Sequence, residues 1–237
     1  MTKKPFNFPM SVRERIGGIV YIPIHCWVVP ILVVLIDELS DKINCSEPVL
    51  NLLVYAVGFL FCLLFMWKFL KKSFEDNFEN KTRFYGLVLR SFGLYYALTL
   101  VVSWIVTAII GDYELVINPN SANINALVRQ NFNVMAVMSV IFAPIVEECM
   151  FRGALFGTIR KKSRFWAYVV PIVFFAFYHL HAYFITDYSW QLWVYLLQYV
   201  PATFVLCRLY EKSGTIWCPM ALHAIINFIA LYAAKLL

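Results

Sequence analysis

Seven long apolar segments, separated by short polar connections, constrain the fold of this chain more than any other feature. They cover about residues 17–36, 49–70, 86–110, 134–157, 166–185, 192–209 and 214–236. A helix of about 20 apolar residues crosses the hydrocarbon core of a bilayer, and within lipid only helices and closed barrels satisfy their own backbone hydrogen bonds. The segments therefore predict an all-α, polytopic transmembrane helical bundle of about seven spans, or eight if the last segment is split.

Composition and charge indicate how this bundle is placed. Only 14% of the residues are charged, whereas a soluble domain has about a quarter, so residues 1–237 are predicted to form a single membrane domain. The N-terminal arm, with Lys3 and Lys4, and the second, fourth and sixth connections together hold 15 of the 20 basic residues. The opposite side holds few, such as Lys42. Because positive charge is retained on the cytoplasmic side, the N-terminus is predicted to be cytoplasmic.

The basic cytoplasmic face also indicates which partners the protein contacts. A cytoplasmic surface beside anionic lipid accounts for the net charge of +6. The sequence thus predicts an integral membrane protein that contacts the lipid bilayer and no nucleic acid. On the opposite side, the asparagine-rich connection 111–133 is the longest. Its polarity favours a plain solvated loop over a lid that gates a substrate.

Three charged side chains, Glu147, Glu148 and Arg152, interrupt the fourth apolar segment. Each costs roughly 2.5 to 3.5 kcal/mol near the centre of a bilayer, so the cluster requires a physical reason. Glu148 and Arg152 are four residues apart and share a helix face, which predicts a supporting ion pair that braces the helix. Glu147 is rotated from Glu148 by about 100° and is expected to face elsewhere. This leaves Glu147 as the first candidate for chemistry.

Polar residues also lie at a matching depth in two later segments. His179 belongs to the fifth segment, and His223 and Asn227 are four residues apart in the seventh. At about 1.5 Å per residue, Glu147, His179 and His223 lie roughly 14 to 20 Å from the cytoplasmic ends of their helices. We therefore expect these residues to converge on one buried polar pocket.

These residues fall into three short motifs. EECMFR (147–152) matches the pattern EExxxR, FAFYH (175–179) matches FxxxH, and HAIIN (223–227) matches HxxxN/D. The set resembles the CPBP or Abi family of CAAX-processing and bacteriocin-processing intramembrane proteases, which includes the Ras-converting enzyme. The resemblance covers about residues 134–237 and identifies them as a catalytic core. It implies hydrolysis of a peptide bond in a membrane-associated peptide or protein.

The residue types suit that chemistry in two versions. In the first, Glu147 is the general base, His179 orients the attacking water, and His223 with Asn227 stabilises the oxyanion. In the second, Glu147, His179 and His223 bind zinc or another divalent metal ion and leave one position open for water. The sequence contains no HExxH motif, and both versions stay open.

Two functions of other classes compete with proteolysis. The chain could act by binding, as an interaction protein in bacteriocin immunity or beside a sensor kinase. It could also be a transporter in which Glu147 and the histidines relay protons, although we find no inverted repeats. Lone membrane histidines are usually packing residues, so we predict that role for His25 and His181.

Overall fold

The computed structural model describes residues 9–40, 44–78, 81–111 and 116–236, and within these ranges the protein is helical with no strand. Lys3, Lys4 and Lys42, used above to predict topology, lie outside the described residues. The helices in the first half are α1 (Val12–Pro23), a π-helical turn (Ile24–Val28), α2 (Val29–Glu38), α3 (Glu47–Phe65), α4 (Trp67–Phe78), α5 (Lys81–Ile110) and α6 (Pro119–Gln130).

In the second half, α-helical and π-helical stretches alternate. The helices are α7 (Phe132–Ala136), a π-helix (Val137–Phe142), α8 (Ala143–Glu147), a second π-helix (Glu148–Phe156), α9 (Gly157–Arg160), α10 (Arg164–Thr186), α11 (Gln191–Tyr195), a 3₁₀ turn (Leu196–Tyr199), α12 (Val200–Ser213) and α13 (Trp217–Leu236). In several places neighbouring helices continue into one another without a break and form fewer, longer helical segments.

Seven of these helical segments in the described part of the chain are long and apolar enough to span a membrane. They are Val12–Glu38, Glu47–Phe65, Arg83–Ile110, Phe132–Arg160, Arg164–Thr186, Gln191–Ser213 and Trp217–Leu236. This confirms the predicted polytopic helical bundle of an integral membrane protein. The last span is one continuous helix, so the last segment is not split into an eighth span.

The second span ends earlier than its hydropathy suggests. Helix α3 stops at Phe65, the backbone at Met66 leaves the helical region, and the rest of the predicted segment belongs to α4. Glu14 stabilises this junction from α1, because its Oε1 accepts a hydrogen bond of 3.0 Å from the Phe69 backbone N–H. Its Oε2 accepts another from the Ser11 N–H and completes a capping box at the start of α1. Glu14, which precedes the first apolar segment predicted from the sequence, is thus buried within the first turn of the first span.

The fourth span (Phe132–Arg160) lies at the centre of the bundle. Within its most apolar window 56% of the residues are buried, against at most 44% in each of the other six spans. Helices α1, α3, α10 and α13 all pack against it. This placement follows from its charges: Glu147, Glu148 and Arg152 are at most 2% exposed, and a charged side chain is tolerated in a membrane only when protein surrounds it.

The connection 111–133 corrects the prediction of a plain solvated loop. Within its described residues, α6 (Pro119–Gln130) is a 12-residue helix that begins at the side-chain cap of Asn118. Leu127 and Val128 are buried against α13 and the start of the fourth span. The polarity of this asparagine-rich connection suggested a loop. Here, however, the buried apolar pair anchors a helix, with Asn123 exposed on its other side.

One carboxylate joins the helix ends on the predicted cytoplasmic side. Glu211 of α12 accepts hydrogen bonds from Arg160 (2.6 Å), from Arg164 (2.9 Å) and from the hydroxyl of Tyr168 (2.8 Å). Directly beyond it, Gly214 ends α12 in the left-handed region with φ of 75°, which glycine adopts without a Cβ clash. These contacts set where α13 begins and therefore where its polar residues lie.

The close packing around Gly58 yields a stability prediction. A Cβ on Gly58 of α3 would lie 2.9 Å from both His25 Cε1 and Val146 Cγ1. Gly58→Ala should therefore lower the free energy of unfolding by about 1–3 kcal/mol, the usual effect of overpacking. The matched control is Gly93→Ala in α5, where nothing lies within 4 Å of the added Cβ and helix propensity should improve. Thermal unfolding in detergent measures both, and equal melting temperatures would contradict the packing.

Candidate active site

The four residues predicted to converge do line one cavity of about 350 Å³. Glu147 comes from the end of α8, His179 from α10, and His223 and Asn227 from α13. Three separate spans thus contribute these four side chains, although the residues are up to 80 positions apart in sequence. The similar depths expected from counting along the helices are consistent with this convergence, because α10 and α13 both pack against the central span.

Glu147 has two different oxygen environments. Its Oε1 accepts a hydrogen bond of 2.8 Å from the hydroxyl of Tyr55 in α3. Its Oε2 has no hydrogen-bond partner among the described residues and lies 3.7 Å from Nε2 of His223. A buried carboxylate oxygen without a donor is costly, and such groups in native proteins usually have a chemical role or bind water. Oε2 is therefore the oxygen that can interact with a reacting molecule.

Both imidazoles have their Nδ1 occupied. In His179, Nδ1 lies 2.9 Å from the backbone carbonyl of Phe175, and in His223, Nδ1 lies 2.8 Å from Oε1 of Glu148. A carbonyl and a carboxylate can only accept, so each Nδ1 carries the hydrogen. A neutral ring then has an unprotonated Nε2, which can accept a proton. The site thus contains two potential proton acceptors besides the Glu147 carboxylate.

Glu148 makes one contact more than the sequence predicts. Its Oε1 accepts from Arg152 Nη1 at 2.9 Å, as the four-residue spacing suggests, and also from Nδ1 of His223. Glu147 and Glu148 therefore make different contacts but meet opposite nitrogens of the same imidazole. The expectation that Glu147 faces elsewhere is only partly right, because helical rotation alone takes no account of a ring from α13 lying between the two carboxylates.

Arg152 connects two of the motifs. Its side chain is fully buried, and its guanidinium carbon lies 4.6 Å from the centre of the Phe175 ring, within cation–π distance. The same ring lies 4.5 Å from the ring of His179. The phenylalanine of the FxxxH pattern thus shields the ion pair on one side and supports the histidine on the other.

Asn227 is positioned by the backbone of the fourth span. Its Nδ2 donates to the carbonyl of Ser139 at 2.8 Å. Ser139 lies in the π-helix Val137–Phe142, where the altered hydrogen-bond pattern is of the kind often found at functional sites. An amide nitrogen carries two hydrogens, so Asn227 retains one that can donate to another group.

A second cavity, also of about 350 Å³, adjoins the first and shares His179, His223 and Asn227 with it. Asn120 and Ser121 of α6 line both. The N-terminal end of α6 is bonded to neighbouring helices, since Asn118 Nδ2 donates to Gln198 Oε1 (2.6 Å) and Gln198 Nε2 donates to the Val116 carbonyl (2.8 Å). The outer connection therefore forms part of the wall of the candidate site.

Two other histidines lie outside the candidate site, and one unpredicted tyrosine lies inside it. His25 and His181 line neither cavity, and His25 packs among the rings of Tyr21, Tyr55 and Tyr178. Tyr55, in contrast, contacts Glu147 directly and was not identified from the sequence. It lies in a segment distinguished only by hydrophobicity, so no motif or charge pattern could have indicated it.

The donor geometry bears on the predicted metal site. Glu147 Oε2 and His223 Nε2 are 3.7 Å apart, but within the described part of the chain no group of three His, Cys, Asp or Glu side chains is arranged to hold a metal ion. As placed, Glu147, His179 and His223 do not form the complete three-ligand set that a catalytic zinc ion requires. The reaction proposed for this site therefore uses protein side chains alone.

Part of the chain is similar to a known protein family. Residues 129–229 match the family model described as Type II CAAX prenyl endopeptidase Rce1-like. The matched region contains all three motifs, so the match supports the resemblance predicted from them. No solved structure shows a significant match.

Two curated bacterial proteins are similar to the chain. One is "Putative membrane peptidase YdiL" of Bacillus subtilis (strain 168), 30% identical over 118 residues, or 48% of this chain and 44% of that protein. The other is "UPF0177 protein YxdF" of Lactococcus lactis subsp. lactis (strain IL1403), 32% identical over 97 residues, or 41% of this chain and 48% of that protein. The aligned region thus spans less than half the length of each relative.

The buried ion pair yields a second prediction. Arg152→Met should destabilise the protein by about 3–5 kcal/mol, because it leaves the Glu148 carboxylate buried without its guanidinium. The double variant Glu148→Gln/Arg152→Met should recover a large part of this loss, since a neutral amide can still accept from His223 Nδ1. Free energies of unfolding of both single variants and the double variant in detergent provide the measurement. Simple additivity of the two single losses would show that the pair is not coupled.

Proposed function

We propose that this protein is an intramembrane endopeptidase that hydrolyses a peptide bond of a membrane-associated peptide or protein. The observation that carries the proposal is Oε2 of Glu147, a buried carboxylate oxygen without a hydrogen-bond donor, 3.7 Å from Nε2 of His223 in a cavity shared with His179. Glu148 Oε2 also lacks a partner among the described residues, but Glu148 lines neither cavity, so of the two glutamates Glu147 is the one that presents such an oxygen to a reacting molecule. The printed family description and the peptidase name of the Bacillus relative support the same class.

In the proposed reaction, Glu147 is the general base. Its Oε2 takes one proton from a water molecule while Nε2 of His179 accepts a hydrogen bond from the same water and orients it. The oxygen attacks the carbonyl carbon of the scissile peptide bond, and the carbonyl becomes a tetrahedral oxyanion. The second amide hydrogen of Asn227 is placed to stabilise that charge, because its other hydrogen already anchors it to Ser139.

His223 completes the proton transfer. Its Nε2 lies next to Glu147 Oε2 and can receive the proton taken from water, which makes the ring an imidazolium. Glu148, bonded to Nδ1, stabilises that cation, and the protonated Nε2 can then donate to the oxyanion or to the leaving amine. When the C–N bond breaks, the amine leaves with this proton, and Glu147 and His223 return to their initial states.

Arg152 has a supporting part in this scheme. It offsets the charge of Glu148 and thereby keeps two adjacent buried carboxylates compatible with one helix. Because Glu148 Oε1 accepts from both Arg152 and His223, it orients the histidine and takes no proton in this scheme. This extends the role predicted from the sequence, since the pair both braces the fourth span and orients the histidine.

The side of the membrane from which a substrate enters follows from the charge pattern. If the basic connections are cytoplasmic, α6 belongs to the outer face, and both cavities are bounded by that helix. We propose that the protein lies in a bacterial cell membrane with a cytoplasmic N-terminus and receives its substrate from the outer side or the bilayer. Substrate classes that fit are a prenylated C-terminus, a bacteriocin or pheromone precursor, and a regulatory membrane protein.

Replacing the base tests the proposal. Glu147→Gln keeps the volume of the side chain but cannot take a proton, so cleavage should fall by about 10²- to 10⁴-fold. Peptides released from membranes of cells that express the wild type or the variant would be compared by mass spectrometry. The control is Asp187→Asn, which alters an exposed carboxylate at the end of α10 and should leave the peptide pattern unchanged.

Other outcomes of that comparison point to the competing functions. Identical peptide patterns together with full biological activity of a stably expressed Glu147→Gln variant would favour an interaction protein. Proton-coupled flux in liposomes that is lost in the same variant would favour a transporter.

The proposed chemistry also predicts the response to metal removal. Because only side chains act in it, cleavage by the purified protein should persist within about twofold after treatment with a chelator such as EDTA or 1,10-phenanthroline. Elemental analysis should show much less than one zinc ion per chain. Loss of cleavage on chelation, restored by added zinc, would instead support a site formed by Glu147, His179 and His223 after rearrangement.

A further inference from the structure

The proposed base is held by a residue from outside the family region. Tyr55 lies in the middle of α3, more than 70 positions before residue 129, where the family match begins. Its hydroxyl donates to Glu147 Oε1 at 2.8 Å, the usual distance of an O–H···O hydrogen bond. Among the described residues no other hydrogen bond is made by either oxygen of Glu147.

This bond decides which oxygen of Glu147 is available. A glutamate side chain has three rotatable bonds, so a carboxylate in a cavity can take several orientations. With Oε1 bonded to Tyr55, Oε2 is held beside His223 Nε2 at 3.7 Å. Without the bond, either oxygen could turn toward the imidazole or away from it, and the fraction of molecules with a correctly placed base would fall.

A second tyrosine orients the first. The hydroxyls of Tyr55 and Tyr178 are 3.2 Å apart. Because the single proton of Tyr55 goes to the carboxylate, the Tyr178 hydroxyl is the donor in this contact. Tyr178 directly precedes His179 in α10. The chain of hydrogen bonds therefore runs from α10 through α3 to the end of α8 and connects the helix of His179 to Glu147.

The ring of Tyr55 is also restrained. His25 packs edge-on against it with ring centres 5.1 Å apart, and the absent side chain of Gly58 makes room for that imidazole. Packing of this kind limits rotation of the tyrosine about its own side-chain bonds. The hydroxyl thus reaches Glu147 from a rigid position, as a group that orients a catalytic residue must.

We propose that Tyr55 is a positioning residue for Glu147: it holds Oε1 by hydrogen bonding so that Oε2 is presented as the base, with Tyr178 as the second member of the relay. The inference rests on the proposed function for its catalytic consequence, but the hydrogen bond itself can be tested without any substrate. No proton transfer by Tyr55 is involved, since the tyrosine keeps its proton throughout.

The first test uses N,N′-dicyclohexylcarbodiimide, an apolar reagent that modifies protonated carboxyl groups inside membranes. Loss of the donor frees the rotation of the Glu147 carboxyl group and leaves Oε1 open to the reagent, so Tyr55→Phe should increase the rate of labelling at Glu147 several-fold. Tyr178→Phe should increase it less, because Tyr55 remains. Mass spectrometry of the peptide that contains Glu147 gives the rate, and Glu147→Gln identifies the site.

The matched control is Tyr21→Phe. Tyr21 is a buried tyrosine of the same region, and its hydroxyl has no hydrogen-bond partner among the described residues. This variant should label at the wild-type rate. If Tyr55→Phe also labels at the wild-type rate while retaining the wild-type melting temperature, the positioning role is wrong. If Tyr55→Phe fails to fold, Tyr178→Phe decides instead, because an unchanged rate there would equally overturn the relay.

The second test measures catalysis. With a fluorescence-quenched, farnesylated peptide that ends in a Cys-aliphatic-aliphatic-X sequence, Tyr55→Phe should lower kcat by about 10- to 100-fold, the usual effect of removing a group that orients a catalytic residue. KM should stay within about twofold, since the hydroxyl is bonded to Glu147. A raised KM with unchanged kcat would contradict the inference.

The labelling and kinetic tests distinguish a failure of the proposed function from a failure of the positioning role of Tyr55. If the wild type cleaves neither this peptide nor any peptide found in the membrane comparison, the proposed function fails, while the labelling rates still decide whether Tyr55 holds Glu147. If cleavage occurs but Tyr55→Phe changes neither labelling nor kcat, the proposed function stands and the positioning role fails.

Discussion

The buried carboxylate of Glu148 is the interaction on which the rest of the structure depends. It lies between Arg152 and His223, with both donors within 3 Å of one oxygen. Removing a charge from water costs several kcal/mol unless partners surround it, so the fourth span can exist only inside a shell of other helices. The central position of this span, packed by α1, α3, α10 and α13, is the structural consequence.

That central position also brings together groups from distant parts of the chain. Phe175 covers Arg152 from α10, His223 reaches Glu148 from α13, and Tyr55 reaches Glu147 from α3. Each contact satisfies a polar group that lipid could not satisfy. Glu147 Oε2 and Glu148 Oε2 are both without a hydrogen-bond partner among the described residues, but of the two glutamates Glu147 is the one that lines the cavity. Its place in the cavity wall distinguishes it from the purely structural polar groups around it.

Sequence predicted those features that arise from one helix at a time. Hydropathy located seven spans, the four-residue spacing located the Glu148–Arg152 pair, and depth along each helix grouped Glu147 with His179 and His223. It failed where two helices determine the result. The connection 111–133 was expected to be a loop because it is polar, yet burial of Leu127 and Val128 by other helices stabilises α6 (Pro119–Gln130) within it and places that helix against the site.

By itself, therefore, the sequence determined the class of fold, the helix that carries the charges and the residue types available for hydrolysis, because hydropathy and helical periodicity are local properties. Only the tertiary structure decided how those residues are used. It placed His223 between both glutamates and brought Tyr55 to Oε1 of Glu147, so that of the two Glu147 oxygens only Oε2 is without a donor among the described residues. Contacts between helices depend on which faces pack together, and no spacing within a single helix encodes that choice.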